Sequence, residues 1–167
     1  AQDLDTLGGK ILRITPEGKI PADNPFENSP VYSLGHRNPQ GLAWHPETED
    51  LFISDHGPSG EGGLQAKDMV KVIKPGGNYG WPEQIGYFED SKYLNPLIMW
   101  PDTSVPPSGA VFYKGDLYIA TLRSEALIKV ELEHKSEANY QVENIERWFA
   151  EDKRTGKYGR LRAVTVG

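Results

Sequence analysis

Two stretches of this chain share one layout, and that repetition constrains the fold more than any other feature. GLAWHPETEDLFISDH opens at Gly41 and GAVFYKGDLYIATLR opens at Gly109. Each runs from a small residue through an apolar strand, a turn and a second apolar strand into a polar loop. Short strands punctuated this often argue for a β-sandwich or a β-propeller. A recurring antiparallel unit favours the propeller, although the separation of the two copies exceeds the roughly 40–50 residues of an ordinary blade.

The expected class is therefore all-β. An outer strand falls at residues 10–15, a blade at 41–82, an irregular proline-rich insertion at 83–108, and a second blade at 109–149. Strands are predicted at Gly41–His45, Leu51–Ser54, Met69–Ile73, Ala110–Tyr113, Leu117–Ala120 and Leu127–Leu132, by alternation bounded by turn residues. Tyr140–Phe149 fits either a further strand or a short helix. Leu161–Val166 reads as the opening of a third copy, so a next blade begins within 160–167. A propeller ring needs about four to eight blades. The chain is thus expected to be a fragment, about two blades with flanking strands.

Composition removes several classes of function. Hydrophobic residues make up 37% of the 167, with 18 Gly and 13 Pro, and the mean hydropathy is −0.57. With 4 Trp, 8 Tyr and 5 Phe the chain is too aromatic to be disordered. A net charge of −6 without a basic run argues against nucleic acid as a partner. No run of about 18 apolar residues is present, so no membrane span is expected. Cysteine is absent, which removes disulfides and thiolate metal sites. The opening AQDLDTLGGK has neither the basic start nor the apolar core of a signal peptide, and reads like mid-protein sequence.

The chemistry gathers between residues 34 and 82. Before the first repeated strand stand Arg37, Asn38 and Gln40, a cation and two amides within four residues. After the second come His56, Gly57 and Pro58, a segment poor in side chains whose backbone can turn carbonyl oxygens outward. Guanidinium and amide donors suit a planar, carboxylate-rich ligand, and bare carbonyls suit a hard cation such as Ca²⁺. In a four-stranded antiparallel blade, the loop entering the innermost strand and the loop leaving the second share one end. Arg37, Arg123, Arg160 and Arg162 then fall on one rim, which implies an anionic ligand bearing several carboxylates or phosphates.

The segments YSLGHRNPQGLAWHP, SDHGPSGEGG, KPGGNYGWP and YGRLRAV, in that order and with GGKILRI before them, resemble the soluble pyrroloquinoline quinone (PQQ) dependent aldose dehydrogenases of the glucose/sorbosone dehydrogenase family. The resemblance runs over nearly the whole chain. It implies a six-bladed propeller that oxidises an aldose at the anomeric carbon, reduces PQQ, and passes electrons to an external acceptor, in the periplasm or outside the cell. By position, Arg37, Asn38, Gln40, Arg123, Arg160 and Arg162 correspond to cofactor-binding residues. The carbonyls of Gly57 and Pro58 correspond to protein ligands of Ca²⁺, and Trp100 to an aromatic wall for the sugar. The remaining blades of the ring would be the chain's structural partners.

The departures are specific. The family's general base is a histidine in an early blade that no segment here matches, so no catalytic base is expected in this chain, and the chain alone is expected to be inactive. His45, in a strand-to-turn WHP context, reads as structural. Where the family usually continues into Asp-Glu-Ile/Val-Asn after the HGP segment, this chain has Lys67-Asp68-Met69-Val70-Lys71. Two other readings stand beside the dehydrogenase: a non-catalytic propeller that serves as a binding module, and a calcium-dependent hydrolase. A rim of cations rather than carboxylates disfavours the hydrolase.

Overall fold

The architecture follows from which strands are apolar on one face and which on both. The structure, a computed structural model, describes residues 1–61 and 63–167. Lys10–Leu12 (β1) and Val31–Leu34 (β2) form an antiparallel pair. Pro39–Trp44 (β3), Leu51–Asp55 (β4), Asp68–Ile73 (β5) and Ile98–Trp100 (β6) form a four-stranded sheet in sequence order. Pro107–Tyr113 (β7), Asp116–Thr121 (β8), Leu127–Ser136 (β9) and Asn139–Trp148 (β10) form a second. All the pairings within these sheets are antiparallel. Up-and-down sheets of this kind, set side by side, are the blades of a propeller.

β4 is buried along its whole length, and the two faces bury into different cores. Phe52 joins Val70 of β5 and Ile98 of β6 in a core shared with Leu117, Ile119, Ile128 and Val130 of the second sheet. Leu51 and Ile53, pointing the other way, join Ile73, Tyr79 and Ile11 beneath the β1–β2 pair. The alternation of a strand thus produces a first blade sandwiched between two layers. Phe52 makes edge-on contacts with Phe112 and Tyr140 at centroid separations of 5.0 and 4.9 Å. Burying such a ring stabilises the fold by about 1.5–3 kcal/mol.

The innermost strands of the two sheets, β3 and β7, approach closely. A Cβ on Gly41 would lie 2.3 Å from the Ser108 carbonyl oxygen, so a glycine is required for the blades to meet there. The Ser54 hydroxyl donates to that same carbonyl at 2.7 Å, tying β4 across the seam. At the opposite end of the sheets the Tyr140 hydroxyl sits 2.6 Å from Asp50 and 2.5 Å from the Thr48 hydroxyl, a second tie.

Several segments differ from the sequence expectation. Ile98–Trp100 is a strand inside the stretch read as irregular, because Val70 and Met69 of β5 supply its ladder partners. Tyr140–Phe149 falls almost wholly within the strand β10, paired along β9. Leu161–Val166 forms no strand: with no ladder among the described residues, it docks through Leu161 N–H to the Thr121 carbonyl and Gly109 N–H to the Arg162 carbonyl, both at 2.9 Å. Lys10–Leu12 is shorter than the outer strand expected and pairs with β2. Among the described residues, no helix is long and apolar enough to cross a membrane.

Candidate functional site

The loops bearing the candidate residues share one end of both sheets. Pro39 at the start of β3 pairs with Asp55 at the end of β4, and Pro107 at the start of β7 pairs with Thr121 at the end of β8. His56 bridges the blades at this end, its Nε2–H donating to the Pro107 carbonyl at 2.5 Å, since a carbonyl can only accept. Arg123 follows β8, and the Arg160–Arg162 segment is held to Thr121 by the Leu161 N–H.

Arg37 and Asn38 are aimed from beneath. The Asp55 carboxylate, fully buried, accepts the Asn38 N–H at 2.7 Å on Oδ1 and the Arg37 N–H at 3.3 Å on Oδ2. Lys71 donates to the same Oδ2 at 2.6 Å, and its side chain is as buried as its partner. Burial works against the ionised carboxylate, yet the Lys71 ammonium and the N–H donors hold its pKa below the ordinary value. The guanidinium of Arg37 is thereby left to face outward. Its Nε and Nη2 both donate to Oε1 of Glu61, at 3.0 and 2.5 Å, and it lies 5.8 Å from the Trp81 ring centroid. Arg37 holds Glu61 at a pKa of about 2. Gln40 is exposed, and its amide donates to the Asn38 side-chain oxygen at 3.1 Å.

The Gly57–Pro58 segment is braced by Asp68, at the first position of β5. Its carboxylate accepts Gly57 N–H at 3.0 Å and Val105 N–H at 2.8 Å. Burial pushes this carboxyl up from its ordinary value, while the two N–H bonds pull the other way. Because the peptide is planar and trans, turning Gly57 N–H inward turns the His56 carbonyl the other way. That carbonyl lies 3.5 Å from Nη1 of Arg37. A Cβ on Gly57 would stand 2.0 Å from the Ala66 carbonyl oxygen, so only glycine lets the two arms of this loop close.

Arg123 and Arg160 line one shallow cleft of about 370 Å³ with Arg154 and Glu125. Arg162 is exposed outside that set and contributes its carbonyl to Gly109. Trp100 is half-buried against the inter-blade core, and its carbonyl accepts Lys67 N–H at 2.8 Å. The structure therefore brings Arg37, Asn38, Gln40 and Gly57 together around Asp55 and His56, and sets Arg123 and Arg160 together in a cleft. Sequence reasoning named Asp68 and Lys71 only as a departure from the family's run after the HGP segment, and gave no role to Asp55 or Glu61. The one available signal was an acidic residue closing an otherwise apolar run at Leu51–Ser54.

The histidines divide by environment. His36 is wholly buried, stacked on Tyr79 at 4.9 Å, and burial pulls its pKa down to about 3. His45 packs against Phe112 at 4.9 Å and Tyr140 at 5.5 Å, and its Nδ1 accepts the N–H groups of Glu47 and Thr48. His134 lies against the same Tyr140 ring, away from the rim.

Adjoining four-stranded antiparallel blades, with the loops of Arg37, His56 and Arg123 at one end, define a protein of the propeller class. The chain belongs to the glucose/sorbosone dehydrogenase family, whose model matches residues 1–167. It is 31% identical to the aldose sugar dehydrogenase YliI of Escherichia coli (strain K12), over 99% of this chain and 50% of that protein. A Thermus thermophilus oxidoreductase described as a glucose dehydrogenase superposes with a TM-score of 0.89 at 49% identity, covering 100% of this chain and 49% of that one. The PQQ-bound form of the aldose sugar dehydrogenase from Streptomyces coelicolor superposes with a TM-score of 0.81 at 40% identity, covering 97% and 44%. The chain thus spans about half the length of these relatives.

Proposed function

We propose that this chain supplies the PQQ- and Ca²⁺-binding portion of an aldose sugar dehydrogenase that acts at the anomeric carbon. The observation that carries the reading is the pair of braced loops, Arg37–Asn38 on Asp55 and Gly57–Pro58 on Asp68. The residues suit the group they would hold. Arg37 already grips an anionic group, the Glu61 carboxylate, which stands in for the negative charge that the ligand would present to it. The loop at Gly57 has its N–H committed inward, and Pro58 has none to offer, which suits a hard cation.

PQQ, when bound, supplies the two-electron acceptor for the sugar. The residues of this chain do the rest by position. Arg123 and Arg160 would take carboxylates of the cofactor, since guanidinium stays charged at any physiological pH and can bind bidentately. Arg162 would reach the same ligand from two residues further along the same segment. Asn38 and Gln40 would orient it through side-chain amides. The carbonyls of Gly57 and Pro58 would hold Ca²⁺, and Arg37 would face the negative charge that develops in the reaction. Trp100 would offer a flat apolar wall to the sugar ring. His36 and His45 are held in buried packing, and His56 is engaged with Pro107, so the proton acceptor for the anomeric hydroxyl belongs outside these residues in this reading. The site is assigned to the periplasm or the cell exterior, with an external electron acceptor and the further blades of the ring as partners.

Equilibrium titration of PQQ, with and without Ca²⁺, tests this. Wild-type protein should bind PQQ with Ca²⁺ enhancement, and Arg37→Ala should weaken binding by about 1.5–3 kcal/mol, the loss of a charge-assisted hydrogen bond. Absence of binding by the wild type, or affinity unaffected by Arg37→Ala, would refute it.

A further inference from the structure

The loop that presents Arg37 and Asn38 rests on a buried carboxylate whose charge must be balanced. Asp55 lies on the face of β4 that looks toward Tyr79 and Ile73, with no solvent exposure. Three donors converge on it: the N–H groups of Arg37 and Asn38, and the Lys71 ammonium from the neighbouring strand. His36 stands 3.9 Å away, its Nδ1 without a hydrogen-bond partner and its Nε2 2.8 Å from the Ser33 hydroxyl. Burial keeps that ring neutral, so it brings no charge. Among the described residues, Lys71 is then the one charged group paired with Asp55.

We infer that Lys71 is a positioning residue for ligand binding: it neutralises Asp55, so that the carboxylate can hold the Arg37–Asn38 backbone without setting a negative charge beneath an anionic ligand. The inference rests on reading Arg37 and Asn38 as ligand-binding residues. The physical reason is the low local dielectric. A charge buried under the loop is barely screened, and an unbalanced carboxylate would both repel an approaching carboxylate and draw the Arg37 guanidinium inward. A neutral donor at position 71 could complete the hydrogen bond but could not remove the charge. Lys71 does both, and it sits 5.5 Å from the Tyr79 ring centroid, a face that also favours a cation.

The test uses the full chain with Lys71→Met and with Asp55→Asn/Lys71→Met, in which the charge is removed from both sides. Two ligands are titrated, PQQ and its uncharged trimethyl ester, and the backbone amide resonances of Arg37 and Asn38 are followed by NMR. Lys71→Met should bind PQQ at least about tenfold more weakly, the ester by less than about threefold, and should shift both amides, as expected for an uncompensated buried charge. The double variant should recover PQQ affinity to within about threefold of wild type, because the neutral pair restores neutrality. Equal weakening for both ligands without recovery in the double variant would overturn the inference, as would unchanged PQQ binding by Lys71→Met. If Lys71→Met does not fold, the double variant decides: retained PQQ affinity supports the inference and lost affinity overturns it. If wild-type protein binds no PQQ, the cofactor reading fails, and the amide resonances decide the brace alone. Unmoved Arg37 and Asn38 signals in the variants would then overturn it, and displaced ones would support it.

Discussion

Replacing Asp68 by alanine should cost the fold about 2–4 kcal/mol and loosen one loop in particular. The substitution leaves two N–H donors without acceptors, Gly57 at 3.0 Å and Val105 at 2.8 Å from the present carboxylate. Each orphaned buried donor costs about 1–3 kcal/mol. The upper end of that sum is not expected, because the carboxylate is itself costly to bury, as its raised pKa records. Asp68→Asn keeps one acceptor and turns an NH₂ group toward the other donor, so it should cost about as much as one orphaned donor, 1–3 kcal/mol. Urea unfolding gives the global figure, and amide hydrogen exchange gives the local one. Gly57 and Val105 should lose protection well before the strand amides of β4 do. An unfolding free energy within about 0.5 kcal/mol of wild type, an ordinary surface effect, with both amides still protected, would show that Asp68 does not brace the loop.

Three further outcomes follow from the same geometry. His36 has its folded pKa lowered to about 3 from an ordinary 6.5, so its contribution is intact above pH 6.5 and is lost progressively as pH falls toward 3. Unfolding free energies should therefore fall by up to about 1.4 kcal/mol per pH unit below 6.5 from this group, and His36→Gln should flatten that slope. Glu61, held at a pKa of about 2 chiefly by Arg37, should titrate by carboxyl carbon NMR far below an ordinary glutamate, and Arg37→Ala should raise it toward the ordinary range, with the backbone N–H donors still holding it down. Gly41→Ala should destabilise by about 1–3 kcal/mol, the range for overpacking, because its Cβ meets the Ser108 carbonyl at 2.3 Å and the blades must part; an unchanged thermal midpoint would count against the close β3–β7 approach.

The strand pattern was legible because alternation and turn residues are local. The repeat around Gly41 and Gly109 carried the propeller class, and RNPQG with HGP marked two loops that the structure sets at one end of the sheets. Features that depend on distant partners were not legible. Ile98–Trp100 becomes a strand only because β5 offers it an edge, amid prolines that read as loop. Val142, Ile145 and Trp148 recur at spacings of three, as on a helix, and pairing with β9 overrides that local preference. LRAVTV has the right alternation, yet a strand needs a ladder. The braces were hidden for a related reason. Asp55, Lys71 and Asp68 look like solvent-facing polar residues of half-buried strands, and only burial of β4 and β5 on both faces makes them interior. The carboxylate of Glu61 on Arg37 was equally invisible, since the two meet across a loop closure rather than along a strand.

The most direct test of the central claim is a crystal structure of the protein grown with PQQ and Ca²⁺. The account predicts PQQ at the rim, with its carboxylates on Arg123 and Arg160 and its far edge near Arg37, the Glu61 carboxylate displaced from that guanidinium. Ca²⁺ should sit on the Gly57 and Pro58 carbonyls at about 2.3–2.6 Å. PQQ bound away from the Arg123–Arg160 cleft, or Ca²⁺ held by other groups while the Arg37–Glu61 pair stays closed, would contradict it.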